Sequence, residues 1–431
     1  MRRGVALALF VACFPSLVGA SEAFLEPEAA VARVLELSAA RLALMPAVAA
    51  AKWRTQAAIA DPAREVAVIE QAVARGGAVG LDPAGVRALF ALEIGLARES
   101  EQRLEDRWRT SGFDELAPAV DLSRELRPRL DALTAELVTA LYLARPALEE
   151  EGFASRHAAL AAAILSAPAW SAEARGELLE ALGRIRRTPV PALERIAASG
   201  VLVVGTTGDY APFSIESQGR LGGADIELAK AVAAGLGVHA VFVRTQWATL
   251  LDDLAAGRFD LAAGGISITP ERAARAAFSS AYASGGKTVL ARCADARRYR
   301  SLAAVDRPGV RVVVNPGGTN QQFVATRIHR ANVRVHADNR SIFDELRARR
   351  ADVMITDDVE VELVTRRYPE LCRALPGTLT RAEKALLLPQ DAAFVERVDA
   401  VLRPLIAAGR PGALRRAYLR GVTVDSSPPA S

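Results

Sequence analysis

The segment Leu193-Glu194-Arg195-Ile196-Ala197-Ala198-Ser199-Gly200-Val201-Leu202-Val203-Val204-Gly205 decides the fold of the C-terminal half. It reads as a helix that ends at a Ser-Gly cap and feeds a first strand rich in valine. Working outward from it, short β-branched runs recur at residues 201–204, 240–243, 261–263, 310–314, 333–335 and 353–355, with helical stretches between them. That alternation implies an α/β domain with mainly parallel sheets.

Upstream the texture changes. From Glu22 to about Arg187 the chain is rich in Ala, Leu, Arg and Glu, with apolar residues at helical spacing and almost no strand-like runs. This half reads as an all-α bundle. Residues 184–191, basic and containing Pro189 and Pro191, read as the linker. A chain of 431 residues is too long for one ordinary core and suits this division. The expected organisation is a leader at 1–20, a helical domain with linker at 21–187, an α/β domain at 188–421 and a disordered tail at 422–431.

The leader reads as an export signal. Arg2 and Arg3 precede an apolar stretch, and Val18-Gly19-Ala20 offers a small-residue cleavage site near Ala20. Export to the periplasm is the expected localisation. Cys13 lies within the leader and only weakly resembles a lipoprotein site. Its removal leaves Cys293 and Cys372, which an oxidising compartment allows to pair or which stay as buried thiols. No later segment reads as long and apolar enough to cross a membrane, so none is expected after leader removal. The net charge of +4 is small, and the basic residues lack the aromatic-interleaved clusters of nucleic-acid binders. A homo-oligomer is compatible with this composition.

The segment quoted first, together with Gly264-Gly265-Ile266-Ser267-Ile268-Thr269-Pro270-Glu271-Arg272, resembles the amino-acid-type periplasmic binding proteins. The resemblance implies two α/β lobes, at about 193–290 plus 386–421 and at about 291–385, closing on a ligand in the cleft. It also implies that Arg272 grips a ligand carboxylate through two parallel hydrogen bonds, with Ser267 beside it. Three further motifs narrow the resemblance: Thr206-Thr207-Gly208-Asp209-Tyr210-Ala211-Pro212-Phe213-Ser214, Asn315-Pro316-Gly317-Gly318-Thr319-Asn320 and Thr356-Asp357-Asp358-Val359-Glu360. With Gly286-Lys287-Thr288 and Ala382-Glu383-Lys384 they look like the cyclohexadienyl dehydratases, which act on prephenate or arogenate.

Loss of carbon dioxide and hydroxide from such a ring needs one general acid aimed at the leaving oxygen. The resemblance implies Glu360 as that acid, held protonated by desolvation, with Asn315 and Asp209 orienting acid and hydroxyl. Gly318 and Thr319 would form an anion-binding turn, and Lys287 and Trp247 would line the cleft. Asp357 has a second reading, as the partner of a ligand ammonium group, which keeps arogenate and plain amino-acid binding open.

In the helical half, Arg41 and Lys52 lie eleven residues apart, which is about three helical turns and nearly one face, with Pro46 able to kink or restart the helix between them. Val86, Phe90, Ile94, Ala97, Leu104 and Trp108 form one stripe, and Glu101 falls on it. A carboxyl there is costly unless paired or protonated, so the cations and Glu101 suggest a pocket for a small dianion. Arg41-Leu42, residues 48–54, 59–64, 121–123 and 126–128 resemble the secreted, gamma-class, all-helical chorismate mutases over roughly 30–140. That resemblance implies that Arg41, Lys52, Arg64 and Arg127 hold the substrate's carboxylates and ether oxygen, that Asp61 orients them, and that Glu101 donates a hydrogen bond to the ether oxygen. Val68 and Ala97 depart from relatives with glutamine and threonine at these positions.

The two resemblances together imply an exported enzyme that turns chorismate into prephenate and prephenate into phenylpyruvate, or arogenate into phenylalanine. Neither step needs a metal or other cofactor, and His157, His239, His329 and His336 show no ligand spacing. The alternative is a non-catalytic amino-acid receptor fused to a helical module.

Overall fold

The computed structural model describes residues 23–112 and 120–421. The expected leader with its cleavage site, Cys13 and the tail at 422–431 lie outside the described residues.

The helical half contains α1 (Pro27–Leu42), α2 (Met45–Thr55), α3 (Pro62–Ala78), α4 (Pro83–Ser111), α5 (Arg127–Leu148), α6 (Phe153–Ile164) and α7 (Ala172–Leu182). Each start has a local cause. Asp61 accepts the Arg64 amide at 3.2 Å and Asp82 accepts the Gly85 amide at 2.6 Å, with a proline following each cap. Pro46 restarts the chain as α2 after a break at Ala43-Leu44, so Arg41 and Lys52 stand on two helices instead of one. α1 packs along α5, and α4 packs against α2, α3 and α7.

The sequence expectation that nothing beyond the leader is long and apolar enough to cross a membrane is corrected. Pro27–Thr55 meets that test by length and composition. Two-thirds of its most apolar window (67%) is buried inside the bundle, where Val31, Val34 and Leu35 are wholly covered. Its apolarity is that of a core helix pair.

Helix α8 (Ala192–Ser199) ends at Gly200, whose φ of +71° suits glycine, and leads into β1 (Val201–Thr206). The remaining strands are β2 (Asp209–Tyr210), β3 (Ser214–Ser217), β4 (Arg220–Gly222), β5 (His239–Arg244), β6 (Leu261–Ala262), β7 (Ala277–Phe278), β8 (Ala283–Gly285), β9 (Lys287–Arg292), β10 (Arg311–Val314), β11 (Asn332–Val335), β12 (Val353–Asp357), β13 (Leu371–Arg373), β14 (Ala382–Lys384) and β15 (Leu387–Leu388). Ten of the fifteen strands form two five-stranded sheets, ordered β5-β1-β6-β15-β7 and β11-β10-β12-β9-β13, and β2, β3 and β4 form a small antiparallel sheet of their own. In each five-stranded sheet, three parallel strands are followed by antiparallel partners, so these sheets are mixed.

Helices α9 (Ala224–Gly235), α10 (Leu250–Ala255) and α11 (Pro270–Arg275) follow strands of lobe one. Helices α12 (Leu302–Val305), α13 (Thr319–Arg327), α14 (Ile342–Arg347) and α15 (Asp358–Arg367) belong to lobe two, and α16 (Ala392–Ala407) and α17 (Arg410–Gly421) return to lobe one. The expected lobe boundary at 290 moves. β9 pairs with β12 and β13, which puts residues 287–292 in lobe two. The two crossings pair with each other as the β8–β14 ribbon. Cys293 and Cys372 form a disulfide that ties the end of β9 to β13.

The stretch at 184–191 is packed instead of free. Ile185 is wholly buried, the Thr188 amide donates to Gly80 O at 2.9 Å, and Arg187 donates to Ala256 O at 2.6 Å.

Candidate functional site

Two cavities gather the residues singled out by the sequence, one in each half. The larger, about 950 Å³, opens among α1, α2, α3, α4 and α5. Arg41, Lys52, Asp61, Arg64, Glu101 and Arg127 all line it. So do Val68 and Ala97, the two departures from the resembling family, which makes those walls more apolar. Every cation has an acidic partner. Arg41 Nε donates to Glu93 at 2.7 Å, Lys52 Nζ to Glu101 at 2.7 Å, Arg64 to Asp131 at 2.6 Å and Arg127 to Asp61 at 3.3 Å.

These pairs fix where the donors point. Arg41 is also held by Thr134 and by Leu130 O, and Lys52 by Ile59 O at 2.7 Å. Burial raises the pKa of Glu101, and the hydrogen bond and charge of Lys52 oppose the rise without cancelling it. Glu93, Ser38, Thr134, Asp131 and Trp170 line the cavity and were absent from the sequence expectation. Glu93 was within reach of it. At about 100° per residue, position 93 lies about as far from the centre of the Val86–Trp108 stripe as Ile94 does, on its other side.

The second cavity, about 350 Å³, lies between the lobes. Lobe one supplies Tyr210, Trp247, Gly265, Ser267 and Arg272; lobe two supplies Lys287, Asn315, Gly318, Thr319, Asn320, Asn339, Asp357 and Glu360; Lys384 arrives from the β14 crossing. Arg272 sits on the first turn of α11 because Thr269 caps that helix, accepting the Arg272 amide at 3.2 Å. Its guanidinium donates to Ser267 O at 2.9 Å and lies 5.9 Å from the Trp247 ring centroid. The loop before it is anchored from below. Asp225, wholly buried, accepts the amides of Gly264 and Gly265 at 2.9 and 2.6 Å.

Glu360 stands on the first turn of α15, 4% exposed. Thr356 donates to one of its oxygens, and the Asn320 amide donates both to Thr356 at 3.1 Å and to Asn315 at 2.9 Å. Burial pushes the Glu360 carboxyl up to about 7; Thr356 opposes that, and the neighbouring Asp357 charge adds to it. The result is an acid still carrying its proton near neutral pH.

Two expectations change here. Asp209 is outside the cavity wall: its carboxylate accepts the Trp247 indole N–H at 3.2 Å, and Asn339 donates to its carbonyl at 2.9 Å. The Asp209 charge also adds to the rise at Glu360. Asp357, read as an ammonium partner, is already occupied. Lys287 donates to it at 2.6 Å, Lys384 at 3.0 Å, and the Tyr210 hydroxyl also donates. Burial alone would raise its pKa, but the lysine charges outweigh burial and hold the carboxylate well below its usual range.

Residues 202–421 match the bacterial extracellular solute-binding proteins, family 3, and residues 32–102 match chorismate mutase type II. The cyclohexadienyl dehydratase of Pseudomonas aeruginosa is 45% identical over 209 residues, covering 48% of this chain and 78% of that protein. The L-cystine-binding protein TcyJ of Escherichia coli is 29% identical over 166 residues, covering 38% of this chain and 62% of that protein. Among solved structures, an ancestral amino acid-binding protein described as a precursor of cyclohexadienyl dehydratase superposes with a TM-score of 0.50 at 30% identity. It covers 53% of this chain and 100% of that one. Through its C-terminal half the chain belongs to the bacterial extracellular solute-binding proteins of family 3, joined to a chorismate mutase type II domain in its N-terminal half.

Proposed function

We propose that the chain is a bifunctional enzyme: a chorismate mutase in the helical half and a cyclohexadienyl dehydratase in the α/β half. The observation that carries the second activity is Glu360, a buried carboxyl pushed up to about 7 inside a cleft that also holds Arg272. A receptor for amino acids has no use for a protonated acid there; a leaving hydroxide does.

The residues divide the work as follows. Arg272 and the Gly318-Thr319 turn hold carboxylate, and Lys287 offers a further donor. As the ring carboxylate leaves as carbon dioxide, its bonding electrons enter the ring. The ring C–O bond breaks, and the oxygen takes the Glu360 proton and departs as water. The product ring is aromatic, so little help beyond the proton is needed. In the helical half, Arg41, Arg64 and Arg127 fold the substrate dianion into its reactive shape, and Lys52 with Glu101 meets the negative charge growing on the ether oxygen.

We further infer that the chain works in the periplasm after cleavage near Ala20, with residues 21–187 as the mutase domain and linker and 188–421 as the dehydratase domain. Membership of an extracellular family supports that address. The deciding experiment is incubation of the purified full chain with chorismate, following phenylpyruvate. Accumulation of prephenate would remove the dehydratase assignment. Inert chorismate alongside reactive prephenate would remove the mutase. Binding of amino acids with neither reaction would restore the receptor reading.

A further inference from the structure

We infer that Phe24, which precedes the helical half, is a positioning residue for the dehydratase cleft: it backs the Gly208-Asp209 turn on which lobe two closes. This rests on the dehydratase reading and adds to it a dependence on a residue that lies on the far side of the mutase in sequence.

Phe24 belongs to lobe one before the chain enters the bundle. It bridges Phe242 in parallel, and the Leu25 amide donates to Phe242 O at 2.8 Å, so this segment extends the sheet beyond β5. The Phe24 ring is 9% exposed and belongs to the apolar cluster of Leu202, Val204 and Phe242. The chain then runs through α1 to α7 and comes back to lobe one at α8 and β1. The helical half is an insertion between two pieces of lobe one.

The ring meets the turn directly. Gly208 has φ +69°, and a Cβ built on it would stand 3.0 Å from two carbons of the Phe24 ring. The same turn receives lobe two. Gly208 O accepts Arg340 Nη2 at 3.3 Å, and Asp209 O accepts Asn339 Nδ2 at 2.9 Å. Two successive carbonyls meet the other lobe at low entropic cost only if the turn that carries them is already fixed. Phe24 is a wall of that turn.

A second route runs through charge. The Arg244 guanidinium lies over the Phe24 ring, 3.9 Å from its centroid, where the ring face attracts the cation. From there it donates to both carboxylate oxygens of Glu216, at 3.2 and 3.0 Å. Glu216 also accepts Arg340 Nη2 at 2.9 Å, the same nitrogen that reaches Gly208 O. Both routes end at Arg340. Phe24 does not line the cleft, so it acts on a ligand through closure alone. A ligand held by closing lobes binds in proportion to the fraction of closed protein, so a lost support raises KM and leaves the chemical step as it was.

The test measures both activities on the full chain. Phe24→Ala should raise the dehydratase KM for prephenate about tenfold with kcat held within about twofold, as a smaller closed fraction requires. Mutase activity in the same sample should be unchanged, since Phe24 lies outside the mutase cavity. Arg340→Ala should raise KM about fivefold, and the double variant should raise it by less than the product of the two single effects, because both act at one contact. Unchanged KM in Phe24→Ala overturns the inference. So do single effects that multiply in full, the result expected of a residue that only steadies the edge of the sheet. If Phe24→Ala loses mutase activity as well and so fails to fold, Phe24→Leu decides: it fills the apolar space but gives Arg244 no ring. A KM raised about threefold by that variant supports the inference, and an unmoved KM refutes it. Wild type that dehydrates neither prephenate nor arogenate is a different result, which removes the dehydratase reading and this inference with it.

Discussion

Glu360 follows Thr356 by four residues, so the strand end and the first turn of α15 bring the Thr356 hydroxyl onto the Glu360 carboxyl. Burial and the Asp357 charge together keep it protonated to about pH 7. The reactive form is the protonated one, so dehydratase kcat should be level below that pH and fall about tenfold per unit above it. A profile flat to pH 9 would exclude Glu360 as the acid. Glu360→Gln should lose at least about a hundredfold in kcat, with prephenate still bound and mutase turnover intact. Glu101 shifts in the same direction, so mutase activity should also decline toward alkaline pH, and Glu101→Gln should flatten that decline. Glu360 and Arg272 were legible because each sits in a local motif. Lys384 was visible only as part of a motif, since its bonds to Gly265, Ser267 and Asp357 span 119, 117 and 27 residues. Glu93 was legible in principle from helical spacing. Ser38 and Thr134 were not, because a lone hydroxyl on a helix has no pattern until a partner helix approaches.

At the scale of elements, the loop from β10 to α13 shows how a short segment governs both binding and closure. Gly317 has φ +75°, and a Cβ built on it would stand 2.7 Å from the Ala248 amide nitrogen in the opposite lobe. Any other residue must both strain its backbone and hold the lobes apart. Strain of about 1–2 kcal/mol, before any clash is counted, corresponds to roughly five- to thirtyfold. Gly317→Ala should therefore lower dehydratase kcat/KM by about tenfold or more, chiefly by opening the cleft, with mutase activity unchanged in the same preparation. A variant that dehydrates normally would show that closure does not depend on this contact. The strands around this loop were all legible as β-branched runs, and so was their alternation with helices. The place of β9 was not. Its sequence, Lys287-Thr288-Val289-Leu290-Ala291-Arg292, suits either sheet, and only its pairing with β12 and β13 assigns it to lobe two. The same holds for α1 and α2, where the apolar pattern continues through a break that one proline sets.

For the whole molecule, the question is whether the mutase bundle and the dehydratase are beads on a string or one folded body with a moving lobe. One buried apolar cluster includes Val34, Leu89 and Leu141 of the bundle together with Val201, Val203, Val241 and Phe259 of lobe one. The chain also begins its described part by bridging Phe24 to Phe242, at the edge of lobe one's sheet. At this boundary Arg195 donates to Tyr142 Oη of α5 at 2.6 Å and pairs with Asp260, which is 2% exposed and accepts the Val203 amide at 2.7 Å. Removing the guanidinium leaves Asp260 buried and uncompensated, at a cost of about 3 kcal/mol. If bundle and lobe one unfold together, Arg195→Met should lower the temperature at which mutase activity is lost, although Arg195 lies outside the mutase cavity. Adding Asp260→Asn should recover much of the loss, because it removes the stranded charge instead of a fold contact. Heat inactivation of both activities in wild type and the two variants distinguishes the cases. A mutase midpoint unmoved by Arg195→Met, while the dehydratase midpoint falls, would mean that the halves unfold separately. A joint fall restored by the second substitution would mean that lobe one carries the mutase as a fixed part of itself, leaving lobe two as the part that opens and closes.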